Sequence, residues 1–281
     1  MTEHLPPRND LAPSPDAGGD TLVLRAVRRL GRPALATDKA GPAGTVTRLR
    51  PAPALRTDAG ARRSAAIDHA RLAALGFIDP IGQPSRLAEE LRVVKRPLLT
   101  HAFAPGAPPN GRIIVVTSPL PGEGKTFLAV NLALSLSLER DANVLLIDGD
   151  LTLAEASERL GIDRTPGLSD LLADSPVDPG DALVRTDVAR LAFVPPGTPT
   201  AGMPELLGSR RMAAIVETVL AADPRRLIVI DSPPLLSSSD ALALASLAGQ
   251  AVFLVQAGVT SRAVVDEALR LLAGHPPLGC S

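Results

Sequence analysis

The sequence contains no tryptophan and no tyrosine among its 281 residues, and with five phenylalanines its aromatic content is 2 %. That count argues against a base-stacking nucleic-acid platform, because such surfaces need rings for the bases to lie on. One cysteine, Cys280, rules out a disulfide framework, and the four histidines show no ligand spacing that would suit zinc. A formal net charge of −1 argues against nucleic acid as a partner held through its phosphates. No charged-then-apolar leader opens the chain, and no uninterrupted apolar run reaches the ~18 residues of a membrane span. The expectation is a soluble protein of a reducing cytoplasm, any membrane association coming through a partner.

At 45 % hydrophobic, the chain can bury one sizeable α/β core. Residues 1–80 differ from the rest, with nine Pro and twelve Lys/Arg against eight Asp/Glu. That mixture predicts a largely disordered Pro/Ala/Arg-rich extension, with the ordered domain over 81–281. Two islands read as short helices, near 21–30 and 67–76. The first, TLVLRAVRRL, carries three Arg between apolar positions and is either a docking helix or a fraying basic tail. The second packs onto the domain through Leu72 and Leu75.

Ser85–Leu99 reads as a helix capped by Ser85, with an apolar stripe of Leu87, Leu91 and Val94 and an end weakened by Pro97. Glu89, Arg92 and Lys95 recur every three residues on the other face, as a solvated row or a self-association surface.

The stretch RIIVVTSPLPGEGKTFLAVN at 112–131 organises the rest. The β-branched run Ile113–Val116 predicts a buried parallel strand, followed by a Pro/Gly turn, Lys125-Thr126 and an apolar helix reaching about Glu139. Strand, loop and helix in that order are the Walker A arrangement, with Pro119 standing where the generic pattern has its first Gly. Pro121, Gly122, Glu123, Gly124, Lys125, Thr126 and Phe127 form the nucleotide-binding stretch. Its backbone N–H groups and the helix N-terminus favour a polyphosphate. Lys125 reaches the β- and γ-phosphates and the Thr126 hydroxyl sits on Mg2+.

A second strand, Val144–Ile147, runs into Asp148-Gly149-Asp150, and 23 residues separate Lys125 from Asp148, enough for a helix and a return to the neighbouring parallel strand. Asp148 is read as a catalytic and metal-side acid near the γ-phosphate; Asp150 is either a second such acid or the cap of a turn. A third run, Leu227–Ile230, ends in Asp231 in the Walker B manner, which predicts an Mg2+ ligand beside Thr126. Gly167–Ala173, Leu191–Val194, Ser209–Ala221, Ala251–Val255 and a helix capped by Ser261 and ending at Gly274 read as scaffold. The fold class expected is α/β: a mostly parallel sheet flanked by helices, of the P-loop NTPase (Min/Par-like) kind.

Taken together, DHARLAALGFIDP, RLAEELRVVKRPLL, TSPLPGEGKTF, VLLIDGDL, VPPGTPTAGMPELL, IVIDSPPLL and VQAGVTSRAVVDEAL make the chain resemble the bacterial tyrosine kinases of capsular and exopolysaccharide biosynthesis. Within them it is most similar to the exosortase-associated tyrosine autokinase branch. The resemblance implies a P-loop domain that phosphorylates protein tyrosines with ATP and Mg2+, often in a homo-oligomer ring. It also implies a membrane-spanning polysaccharide chain-length regulator as activating partner. By matching motifs it gives Lys125 and Thr126 the phosphate-loop roles, Asp148 and Asp150 the Walker A′ roles, and Asp231 the Walker B role. Glu89, Arg92 and Lys95 fall on the family's ring-contact motif, which favours self-association for that helix. The chain departs from the family in having no tyrosine cluster, in stopping at Ser281 before a strand bearing an Asn-Lys pair, and in lacking Arg and Pro after Asp150. The first two departures imply a C-terminally shortened chain. A Min/Par-type ATPase switch and a non-catalytic scaffold of the export machinery are the alternative readings. Leu120 stands where Min/Par proteins carry a signature lysine.

Overall fold

A computed structural model describes residues 28–29, 61–80, 82, 85–173, 176–200 and 202–274. Among the described residues eight strands form one sheet: β1 (Arg28–Arg29), β2 (Arg63–Ala65), β3 (Ile113–Thr117), β4 (Asn143–Asp148), β5 (Val184–Thr186), β6 (Leu191–Val194), β7 (Arg226–Asp231) and β8 (Gln250–Phe253). Their spatial order is β1-β8-β3-β7-β4-β6-β5-β2. From β8 to β6 every neighbouring pair is parallel. The β5–β6 and β1–β8 pairs are antiparallel, and β2 runs parallel to β5 at the far edge.

The helices are α1 (His69–Ala74), α2 (Arg86–Ala102), α3 (Lys125–Ser137), α4 (Glu155–Leu160), α5 (Leu168–Leu172), α6 (Pro179–Ala182), α7 (Met203–Leu207), α8 (Arg210–Ala222), α9 (Ser239–Leu247) and α10 (Arg262–Gly274). Among the described residues no helix is long and apolar enough to cross a membrane.

Both faces of the sheet are covered, so the central strands are unbroken Val/Ile/Leu runs rather than alternating ones. Ile113 and Val115 point into one layer, with Leu171, Ile215, Leu244 and Leu272 from α5, α8, α9 and α10. Ile114 and Val116 point into the other, with Leu72, Leu91 and Leu98 from α1 and α2 and most of α3. Helix α3 is buried from Leu128 through Ser137 because it lies between the sheet and α2. A helix covered all round needs no polar stripe.

Several expectations require correction. β4 does not neighbour β3: β7, from far later in the chain, is inserted between them. Asp231 is thereby set between the phosphate loop and Asp148. Pro97 does not end α2, which continues to Ala102 and is capped as expected by Ser85 accepting from Ala88 N at 3.2 Å. At Arg28–Arg29 the chain is extended along β8, not helical; the rest of the helix expected over 21–30 lies outside the described residues, as do the other residues of 1–60 and the end at 275–281. Residues 61–80, grouped by composition with the front extension, carry β2 and bury Ile67, Leu72, Phe77 and Ile78; α1 is the helix expected near 67–76 and packs through Leu72 as expected, but Leu75 is exposed. Buried Asn131 on α3 holds this segment, its Oδ1 accepting from Ile78 N at 2.7 Å while its amide donates to Phe127 O at 2.8 Å.

Lys95 does not continue the row of Glu89 and Arg92. It is buried between α2 and α3, where its ammonium donates to Ser135 O at 3.0 Å and pairs with Glu139 at 2.7 Å. Glu89 and Arg92 remain exposed and pair with each other at 2.8 Å.

Candidate active site

The loop after β3 turns at Ser118, whose hydroxyl donates to Leu120 O at 2.8 Å. Gly124 is the N-cap of α3 at φ +90°, a conformation that strains any residue with a Cβ. No side chain caps this helix, so its first N–H groups stay available to an anion lying on the positive end of the dipole. Lys125 and Thr126 are the first residues of the helix, with Lys125 buried and Thr126 partly so. Phe127 turns outward, its ring against that of Phe77 at a 4.8 Å centroid separation.

Asp231 ends β7 and pairs in register with Val116 on one side and Asp148 on the other. The three strand tips therefore stand side by side at the carboxyl edge of the sheet, where open α/β sheets bind ligands. Between the two acids the backbones nearly touch. Gly149 N donates to Asp231 O at 2.8 Å, and a methyl at Gly149 would lie 2.7 Å from that oxygen and 2.7 Å from Leu244 Cδ1.

Both acids are out of solvent. Asp231 has neither carboxylate oxygen hydrogen-bonded, and Asp148 has one, Oδ2, accepting from Ser157 N at 3.1 Å. Burial pushes the Asp231 carboxyl well above its usual range and the neighbouring Asp148 adds to this, while the Thr126 hydroxyl and the Lys125 ammonium pull the other way. Burial also raises Asp148, to about 7, with the Ser157 N–H opposing and Asp150 reinforcing the shift. Asp150 accepts from Thr152 N and Leu153 N at 3.3 and 3.0 Å, so it caps the turn that follows while adding its charge to the same edge.

Sequence reasoning missed three contributors: Ser157, whose backbone orients Asp148, Gly149, and Asp240. Burial lifts the Asp240 carboxyl, with Asp150 and Glu205 contributing. A glycine between two acids at a strand end was the signal for Gly149; nothing local marks the other two.

Buried carboxylate oxygens without donors, next to an ammonium and a hydroxyl, suit a bound cation and not an empty core. Among the described residues no three His, Cys, Asp or Glu side chains form a preformed metal cage.

An uncapped helix start after a parallel strand, with an acid on each of the next two strands, defines a P-loop α/β protein. No family model matches the chain. It is 32 % identical over 160 residues to tyrosine-protein kinase CpsD of Streptococcus agalactiae, across 57 % of this chain and 68 % of that protein. It is 30 % identical over 189 residues to tyrosine-protein kinase Wzc of Salmonella typhimurium, across 67 % of this chain and 25 % of that one. Among solved structures, the BceF tyrosine kinase domain superimposes with a TM-score of 0.58 at 30 % identity, over 76 % of this chain and 78 % of that domain. The chain belongs to the bacterial tyrosine kinase family. It spans about a fifth to a quarter of the length of the first curated relatives it matches.

Proposed function

We propose that the chain is an ATP-dependent protein-tyrosine kinase domain acting in exopolysaccharide biosynthesis and export. The observation that carries this reading is the pair of buried, donor-poor carboxylates of Asp148 and Asp231 beside the uncapped start of α3. In it, the N–H groups of Gly122 to Thr126 and the Lys125 ammonium hold the β- and γ-phosphates of ATP. Thr126 and Asp231 hold Mg2+, with Asp148 close by. When bound, Mg2+ supplies charge neutralisation at the transferring phosphoryl group. Asp148 orients the acceptor hydroxyl and takes its proton on Oδ1 as the tyrosine oxygen bonds to the γ-phosphorus and the bond to the β–γ bridging oxygen breaks, leaving ADP. A carboxyl held near neutrality is matched to that exchange.

The reading extends to a membrane-spanning polysaccharide chain-length regulator as activator, which would bring the domain to the cytoplasmic side of the inner membrane. Protein tyrosines are its substrates. A homo-oligomer ring would use Glu89 and Arg92, which are exposed and face outward.

Purified protein incubated with MgATP and a tyrosine peptide tests the reading. Because the chain contains no tyrosine, all phosphotyrosine formed belongs to the peptide. Lys125→Met is expected to lower the rate about 100-fold or more, the scale for removing a charge that meets the transition state. Absence of Lys125-dependent phosphotyrosine ends the proposal.

A further inference from the structure

Glu123 is an odd residue to find in a loop that receives phosphates, since its charge has the same sign as the ligand's. Its carboxylate is buried and fully engaged inside the protein. Oε2 accepts from Leu120 N at 2.7 Å, across the phosphate loop itself. Oε1 accepts from Gln256 N at 3.3 Å and from the Thr260 hydroxyl, both in the loop that joins β8 to α10. That loop stands on the opposite side of the phosphate loop from Asp148 and Asp231, because β8 flanks β3 on one side and β7 on the other. Gln256, Ala257, Gly258 and Val259 are exposed, so packing does little to fix it.

We propose that Glu123 is a positioning residue. It holds the phosphate loop in its anion-receiving shape through Leu120 N, and it ties that loop to residues 256–260. Ordering of one loop then orders the other, and the β8–α10 loop becomes part of the nucleotide site. The inference deepens the phosphate-site reading above and rests on it. Gln tests the clamp closely: an amide keeps one acceptor oxygen and replaces the other with a donor. Either Leu120 N or Gln256 N must then lose its acceptor, while the Thr260 hydroxyl can turn to accept from the amide.

Glu123→Gln is expected to raise the KM for ATP about tenfold, the scale for one charge-assisted hydrogen bond, and to change KM more than kcat. Thr260→Val, which removes one hydroxyl and leaves the carboxylate, shifts KM in the same direction by less. Without nucleotide, amide exchange at Leu120 or Gln256, whichever has lost its acceptor, should be faster in Glu123→Gln than in wild type. The opposite sign is informative, because a carboxylate that merely repels phosphate would give tighter ADP binding on neutralisation. Tighter ADP binding, or exchange unchanged at both Leu120 and Gln256 in a variant with native thermal unfolding, overturns the proposal. If wild-type protein neither binds nor turns over nucleotide, the phosphate-site reading fails. The exchange comparison, which needs no nucleotide, still decides whether Glu123 holds the loop.

Discussion

Asp148→Asn should remove a pH dependence of stability that the wild-type site carries. The folded-state carboxyl is raised from 3.8 to about 7, so the native chain holds this proton more tightly than the unfolded one. The resulting stabilisation is fully present below the unfolded value and disappears as pH rises through about 7. A carboxyl raised that far is worth about 4 kcal/mol in all, more than half of it lost between about pH 5 and pH 8. Asp231 is shifted the same way and adds to the slope. Asn keeps a carbonyl oxygen for Ser157 N and carries no charge, so the variant should lose most of the Asp148 share and exceed wild type in stability near pH 8. Urea unfolding of both proteins with a chelator present, across that pH range, gives the two slopes. Equal slopes, or an Asn variant weaker than wild type at pH 8, would refute the argument that burial of this charge is uncompensated in the free domain.

Gly149→Ala should cost about 2 kcal/mol or more, since the new methyl meets the Asp231 carbonyl, which is fixed in the sheet. Urea unfolding reads the loss, and peptide phosphorylation should fall with it because Asp148 and Asp231 are pushed apart. Lys95→Met leaves Ser135 O without its donor and should destabilise the monomer by about 2 kcal/mol, measured by urea unfolding. Glu89→Ala and Arg92→Ala should stay within about 0.5 kcal/mol in the same assay, and any effect on sedimentation velocity belongs to those two exposed residues.

The positions of the loop after β3 and of Asp148 and Asp231 were legible because each follows a fully buried strand, and such strands announce themselves as apolar runs ending in a charged or Gly-rich turn. Strand order was not. The insertion of β7 between β3 and β4 is a long-range pairing that no local spacing encodes. Lys95 shows a different failure. Steps of three residues lag a 3.6-residue turn by ~60° each, so by Lys95 the row begun at Glu89 has rotated ~120°. Lys95 thus joins the buried stripe of Leu91, Leu98 and Ala102, at spacings of four, three and four. Strand β2 left no trace because it is three residues at a sheet edge, held by backbone pairing and by Arg63 donating to Pro166 O at 2.8 Å. The role of the Glu123 side chain depends on Thr260, 137 residues away.

Calorimetric titration of ADP, with and without Mg2+, into wild type, Lys125→Met and Asp231→Asn tests the central claim most directly. The account predicts Mg2+-dependent binding to wild type that is weakened at least about tenfold in each variant, a difference of about 1.4 kcal/mol. Binding of equal strength in all three proteins, or no binding to wild type at all, would contradict it.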